Sequence, residues 1–327
     1  MNTLSSGTAA AIRLGMLACA FAALPVQAQT FPTKTIRVVV ANAAGGNSDL
    51  VARVAAEGLA RELGQSVYVD NQPGGRQIPA TQLVARANPD GHTLLAVGLT
   101  FTVNAVVYND LPYDSIKDFA PVGIVGSTPQ LIVAAAGFAP NNIKELIALA
   151  KAKPDTIHYS STGVASTAHL GGALLSSMAD IQLVHVAYKG TAQANTDTMK
   201  GVVQLSLAGP ISLVSLIRAG KLKALGISSL KRSPQMPDVP AIAETVPGYE
   251  LLLWNGLAAP AATPRPVIAR LNTALNKSIS SADIKDRLFK AGVDIDPQSP
   301  EQMATYVDVE IKKLTKLIRE AGIKGER

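Results

Sequence analysis

The chain has one cysteine in 327 residues, Cys19, and only four histidines. A lone cysteine near the start excludes a disulfide framework, a thiolate metal cage and a cysteine nucleophile in the body of the protein. His92, His158, His169 and His185 show no H-E-x-x-H or other ligand spacing, so no metal site is expected. The patterns G-x-x-x-x-G-K-[ST], G-x-G-x-x-G and G-x-S-x-G are missing as well. Gly45-Gly46 lacks the following lysine, and Lys189-Gly190-Thr191 has the order wrong. The strongest signals for nucleotide binding and for an α/β-hydrolase are therefore absent, and no cofactor is expected. The formal charge of +6 is spread without a basic run or an aromatic-interleaved basic patch, which argues against nucleic acid as a partner. Beyond residue 28 no apolar run approaches the roughly 20 residues a membrane-spanning helix needs.

What is present is a large aliphatic fraction: 47% of residues are hydrophobic while only 4% are aromatic, which excludes disorder and collagen-like repetition. Residues 1–28 carry one charge, Arg13, then an apolar run from Leu14 to Leu24, then Val26-Gln27-Ala28 before Gln29. This reads as a secretory signal with a small-residue cleavage site, and it implies a soluble protein of the bacterial periplasm. The alternatives are a buried core helix or a lipid anchor on Cys19 in Leu17-Ala18-Cys19. The remaining roughly 300 residues suggest two domains at roughly 100–200 residues each.

From Ile36 onward short β-branched runs alternate with amphipathic stretches, the pattern of an α/β protein with mainly parallel sheets. Strands are predicted at 36–40, 67–70, 93–97, 121–125, 130–135, 157–161, 184–187, 203–207, 224–228 and 251–257. Val51, Ala55, Leu59 and Leu63 predict a helix from near Ser48 that ends at Gly64. Asn142 with Glu145, and Ser299 with Gln302, mark two further helix starts. The last helix should bury Met303, Val307, Ile311, Leu314 and Ile318 opposite Lys312, Lys313 and Lys316. No repeat, low-complexity tract or linker separates two halves. Two interleaved α/β lobes are expected, 29–127 with 252–327 and 128–251, crossed near Ser127–Gln130 and Pro247–Leu252, with a ligand cleft between them.

Three turns have the composition of anion cradles at helix N-termini, where unpaired N–H groups and the positive end of the macrodipole face outward. In the first, Gly45-Gly46-Asn47-Ser48 after the first strand, the glycines allow close approach and Asn47 or Ser48 can donate; alternatively the glycines only make the turn and Ser48 only caps. The second holds five hydroxyls in eight residues, Ser160, Ser161, Thr162, Ser166 and Thr167, around Gly163, more than one cap requires. The third is Tyr188-Lys189-Gly190-Thr191, whose Lys189 either meets an anion or lies in solvent. Ser160, His169 and Asp180 could be drawn as a catalytic triad, but nothing positions them; the plainer alternative is a histidine bonded to its own loop near a helix start.

These segments, read with others, resemble a known family nearly end to end. The residues are Phe31-Pro32, Gly45-Gly46 with Ser48-Asp49 and Ala52-Arg53, Leu63-Gly64-Gln65, Asn71-Gln72-Pro73-Gly74 and Asn88-Pro89-Asp90-Gly91. Then come Leu111-Pro112-Tyr113-Asp114, Tyr188-Lys189-Gly190, Arg218-Ala219-Gly220-Lys221, Pro237-Asp238-Val239-Pro240 and Trp254-Asn255-Gly256. In this order they are similar to the solute receptors of the tripartite tricarboxylate transporter family, the Bug or TctC type. The resemblance implies a type II periplasmic-binding-protein fold whose lobes close over a small organic carboxylate, working as a monomer and delivering the solute to membrane transporter subunits. It also implies ligand contacts from Asn42 to Ser48, from Thr100 through Thr102 to Asn104, from Ser160 to Thr167 and from Tyr188 to Thr191. Two positions depart from the family: Asn42 stands for a common aromatic lid, and Ala208 for a position that is often acidic. Two other functions compete with the carboxylate receptor: a solute sensor for a signalling protein, and an exported hydrolase using His169 with Ser160 or Ser166.

Overall fold

The computed structural model describes residues 31–323, so the signal segment predicted for residues 1–28 lies outside the described residues. Three βα steps open the chain: β1 (Ile36–Val40) leads to α1 (Asn47–Leu63), β2 (Val67–Asn71) to α2 (Ile78–Ala85), and β3 (Thr93–Gly98) to α3 (Leu99–Val107). β4 (Phe119–Pro129) continues into β5 (Leu131–Ala135) with Gln130 alone between them. Next come α4 (Ile143–Ala152), β6 (His158–Ser161), α5 (Thr167–Ala179), β7 (Val184–Ala187), α6 (Thr191–Met199), β8 (Leu205–Ala208), α7 (Val214–Arg218) and β9 (Leu222–Ile227). The chain returns through β10 (Leu252–Pro260), α8 (Arg265–Ile279), α9 (Ala282–Lys290), β11 (Asp294–Ile295) and α10 (Pro300–Glu320).

The strands form two sheets, ordered β11-β4-β10-β3-β1-β2 and β7-β6-β8-β5-β9. The chain therefore builds most of the first sheet, leaves it at Gln130, completes the second, and comes back. The predicted dominance of parallel pairing does not hold. β1 pairs parallel with β2 and β3, and β6 with β7 and β8, but β10 runs antiparallel to β3 and β4, β11 to β4, and β5 to β8 and β9. For β5 and β10 the cause is the exchange between sheets. Strands that arrive directly from the other lobe need no helical crossover, so they are free of the parallel direction a βαβ unit imposes.

Local signals act as expected at several helix ends. Val51, Ala55, Leu59 and Leu63 of α1 are buried, and Gly64 closes it at φ 66° with its N–H on Ala60 O at 3.0 Å. Asn142 caps α4 by accepting from Glu145 N at 2.9 Å. At α10, Ser299 Oγ accepts from Gln302 N while Gln302 Oε1 accepts from Ser299 N, a complete capping box. The polar face of α10 differs from expectation. Lys312 is exposed, but Lys313 turns inward to pair with the buried Glu310 and to donate to Glu250 O at 3.3 Å.

One apolar core fills the space between the first sheet, α1 and α8, with Ile36, Val38, Leu59, Leu271 and Leu275 at its centre. A larger one runs from Val39, Leu95 and Trp254 on the first sheet to Ile132, Tyr159 and Leu205 on the second. α10 lies along it, packed on β4 and α3 of the first lobe and on α5 of the second. The apolar interior is continuous from lobe to lobe beneath the cleft.

Candidate functional site

The loop after β1 is organised by Asp49, which is buried at the start of α1 and accepts from Gly45 N at 2.8 Å, Asn71 Nδ2 at 2.8 Å and Arg53 Nε at 3.0 Å. Burial alone would raise its pKa, but the bonds from Arg53, Gly45 and Asn71 outweigh it and hold the carboxylate below its ordinary range. Gly46, not Ser48, occupies the cap position of α1, and no side chain caps it. Asn42 is tied down from the β2 side: its carbonyl accepts from Asn71 Nδ2 at 3.1 Å and its Oδ1 from Gln77 Nε2 at 3.1 Å.

The hydroxyl-rich loop joins β6 to α5. Ser166 caps α5 by accepting from His169 N at 3.3 Å, and the His169 ring accepts from Ala165 N at its Nδ1, 3.0 Å away. His169 stacks on His185 with ring centroids 3.8 Å apart and planes 8° from parallel. Burial, with the neighbouring His185, holds the His169 pKa down at about 4, so the stacked ring is neutral. Burial lowers His185 as well. Ser161 Oγ lies 2.5 Å from His185 Nε2 and accepts from Gly163 N at 3.0 Å, so the loop is pinned from beneath.

Between the two sheets lie two adjoining cavities. The first, about 310 Å³, is bordered by Leu99 and Thr100 at the start of α3, Thr167 and Ala168 at the start of α5, and Thr191 at the start of α6. Thr162, Ser166, Gln130, Ala208, Gly209, Ser212 and Leu253 complete it. Three helix N-termini thus converge on one space, each presenting unpaired N–H groups and positive dipole. Among the described residues no hydrogen bond engages the hydroxyls of Thr162, Thr167 or Thr191, which leaves them as donors toward the cavity. The second cavity, about 360 Å³, is lined by Asn42, Pro73, Arg76, Gln77, Asn104, Val107, Tyr108 and Val164. The two share Thr100, Val103, Ala165 and Ser166 as common wall.

Of the residues predicted from the sequence, Asn42, Thr100, Asn104, Thr162, Ser166, Thr167, Thr191 and Ala208 border these cavities. The others stand behind or beside them. Thr102 is buried and its hydroxyl donates to Leu99 O, inside its own helix. Ser160 and Ser161 are buried on β6, and Gly163 serves the turn that follows. Gly45 and Gly46 shape the first loop and Ser48 lies in the first turn of α1, while Asn47 reaches Asn255 and Thr128 on β10 and β4. Tyr188, Lys189 and Gly190 form the turn before α6 without bordering either cavity, and Lys189 is exposed. Ser160, His169 and Asp180 share no hydrogen bond among the described residues; His169 is bonded to its own loop.

Sequence reasoning missed Arg76, Gln77, Tyr108, Gln130 and Ser212. Arg76 brings a positive charge to the cavity lining; it follows Pro73-Gly74-Gly75 and bonds the Tyr108 hydroxyl, its guanidinium 5.6 Å from that ring centre. Arg76 and Gln77 adopt φ 55° and 72°, conformations a sequence does not announce for such side chains. The run Pro73-Gly74-Gly75 at the carboxyl end of β2 was the available signal, since ligands gather at that edge of α/β sheets.

Two lobes of mixed α/β sheet with a polar cleft between them have the architecture of a solute receptor. The tripartite tricarboxylate transporter family receptor profile matches residues 51–323, and the chain belongs to that family. A protein from the tcbD-tcbE intergenic region of Pseudomonas sp. strain P51 is 36% identical over 292 residues, 89% of this chain and 87% of that one. Among solved structures, periplasmic binding protein BugD is 33% identical with a TM-score of 0.73, covering 90% of this chain and 100% of BugD. An R. palustris protein solved with adipate is 31% identical with a TM-score of 0.75 over 90% of this chain and 99% of its own. MatC from Rhodopseudomonas palustris, solved with bound malate, is 31% identical with a TM-score of 0.71 over 88% and 100%.

Proposed function

We propose that this protein is an exported, monomeric periplasmic receptor that captures a small organic carboxylate between its lobes and presents it to membrane transporter subunits, without catalysing a reaction. The observation that carries the reading is the convergence of α3, α5 and α6 on one cavity rimmed by the hydroxyls of Thr162, Ser166, Thr167 and Thr191. Family membership supports it, as do relatives solved with adipate and malate.

The magnitudes suffice. A charge-assisted hydrogen bond contributes about 1.5–3 kcal/mol and a helix end about 0.3–1 kcal/mol. Four bonds and three ends come to about 7–15 kcal/mol before association costs of several kcal/mol. Micromolar binding requires about 8.2 kcal/mol. His169 Nδ1 accepts from Ala165 N and Ser166 Oγ accepts from the His169 backbone N–H, so no hydrogen bond among the described residues pairs the ring with Ser160 or Ser166 as a nucleophile and base would be paired, which favours binding over turnover.

Calorimetric titration of the purified protein with mono-, di- and tricarboxylates tests the reading. Saturable binding of at least one acid at micromolar to sub-millimolar concentration is expected. Failure of every acid to bind overturns it.

A further inference from the structure

The two adjoining cavities differ in chemistry, and the difference bears on which acid this receptor takes. In the first, the threonine hydroxyls and helix ends are open to a ligand. In the second, several of the polar side chains are held by neighbouring groups. Asn42 Oδ1 holds Gln77 Nε2 at 3.1 Å, Asn104 Nδ2 donates to Arg76 O at 2.8 Å, and the exposed Arg76 guanidinium is bonded to the Tyr108 hydroxyl. The rest of the second cavity's lining is largely hydrocarbon: Val103, Val107, Val164, Pro73, Ala43 and the Tyr108 ring. Val164 is 39% exposed, an apolar side chain held in the open on a loop made otherwise of small and hydroxyl residues. Asn42 bears on this too. With its amide turned to Gln77, the position sets no bulky ring across the space.

Resting on the carboxylate-receptor reading above, we infer that the solute is an amphipathic acid, one carboxylate seated in the hydroxyl cavity and an apolar body, alkyl or aromatic, filling the valine-lined cavity of about 360 Å³ beside it. A compact polyanion fits this arrangement poorly. Its further carboxylates would give up water against Val103, Val107, Val164 and Pro73, which offer no hydrogen bond in exchange. A hydrocarbon body gives up nothing. Each buried methylene is worth about 0.8 kcal/mol, which is about fourfold in affinity. The common wall of Thr100, Val103, Ala165 and Ser166 is where the ligand would change from polar to apolar, and these residues carry that change within a few ångströms of chain.

The test is a displacement titration of the purified protein with straight-chain monocarboxylates from butanoate to octanoate, with benzoate, malate and citrate alongside. The affinity should climb about fourfold per methylene over at least three steps, and benzoate should outbind malate and citrate. Val164→Thr and Val107→Thr, which keep their size roughly, should each weaken octanoate at least fivefold and leave butanoate within twofold. A flat series, or malate or citrate tighter than every monoacid, overturns the inference and leaves the carboxylate receptor standing. Octanoate affinity untouched by both variants also overturns it. Silence from every acid removes the receptor reading itself.

Discussion

Gln130 and Ser228 hold each other by two hydrogen bonds, Gln130 N–H to Ser228 Oγ at 2.8 Å and Ser228 N–H to Gln130 O at 2.9 Å. Gln130 is the residue at which the chain leaves the first sheet, and Ser228 follows the last strand of the second. The Ser228 hydroxyl also donates to Leu251 O at 2.6 Å, just where the chain returns. One buried side chain therefore binds both passages between the lobes.

Ser228→Ala should lower stability by about 1–3 kcal/mol, because it strands a buried N–H and a buried carbonyl together. Urea unfolding followed by circular dichroism reads the change. An unaltered midpoint would mean that the passages hold without the hydroxyl.

Thr162 and Ser161 are neighbours with different duties. Thr162 is exposed at the cavity rim and Ser161 is buried beneath it. Thr162→Ala should weaken the bound acid by about 1–3 kcal/mol and leave the melting temperature alone. Ser161→Ala removes the acceptor for Gly163 N and the partner of His185, so it should lower the melting temperature along with affinity. Equal effects of the two variants on both readouts would contradict this division.

The stacked histidines set a pH dependence of known sign. The ordinary imidazole value is 6.5, and burial, with His185, keeps folded His169 neutral down to about 4. Between those values the unfolded chain binds the proton and the folded chain does not, so stability falls as the pH drops from about 6.5 to about 4. Melting temperatures across that window should decline. His169→Asn, whose amide oxygen can accept Ala165 N–H, should flatten the decline; profiles of identical slope would show that this ring is not the source.

Gly98 ends β3 where a Cβ would stand 2.6 Å from Trp254 O on β10, a backbone atom with no room to retreat. Gly98→Ala should cost about 1–3 kcal/mol. At Gly137, a Cβ meets nothing within 4 Å, and Gly137→Ala should leave thermal unfolding unchanged. A tolerated Gly98→Ala would place the two strands farther apart than described.

Much of the fold could be read ahead because its signals are local. The valine run of β1, the stripe ending at Gly64 and the capping box at Ser299 each depend on a few adjacent residues. Strand direction does not: an aliphatic run buried on both faces looks the same whichever way it points, so the antiparallel β10 could not be told from the parallel β3. β11 has two residues, too few to show a period. In the site, the density of hydroxyls exposed the loop but not its interior face. Ser160 and Ser161 still belong to β6 and are covered by its neighbours, whereas Thr162 has left the sheet; one residue decides between core and ligand wall. Asp49 was passed over for Ser48 because a buried carboxylate at a helix start is supported only through Arg53 one turn on and Asn71 from another strand.

Among the described residues β4 pairs only with β10 and β11, both of which lie far downstream. A chain that emerges N-terminus first therefore finishes its middle before its beginning: the inserted sheet is complete at Ile227, while the eleven residues of β4 still have two open edges. Open edges invite mispairing with other chains. The interval between the arrival of Pro129 and that of Pro260 is the stretch of biogenesis in which β4 stands without its neighbours, and slowing the delivery of β10 should be felt as aggregation long before it is felt as lost ligand.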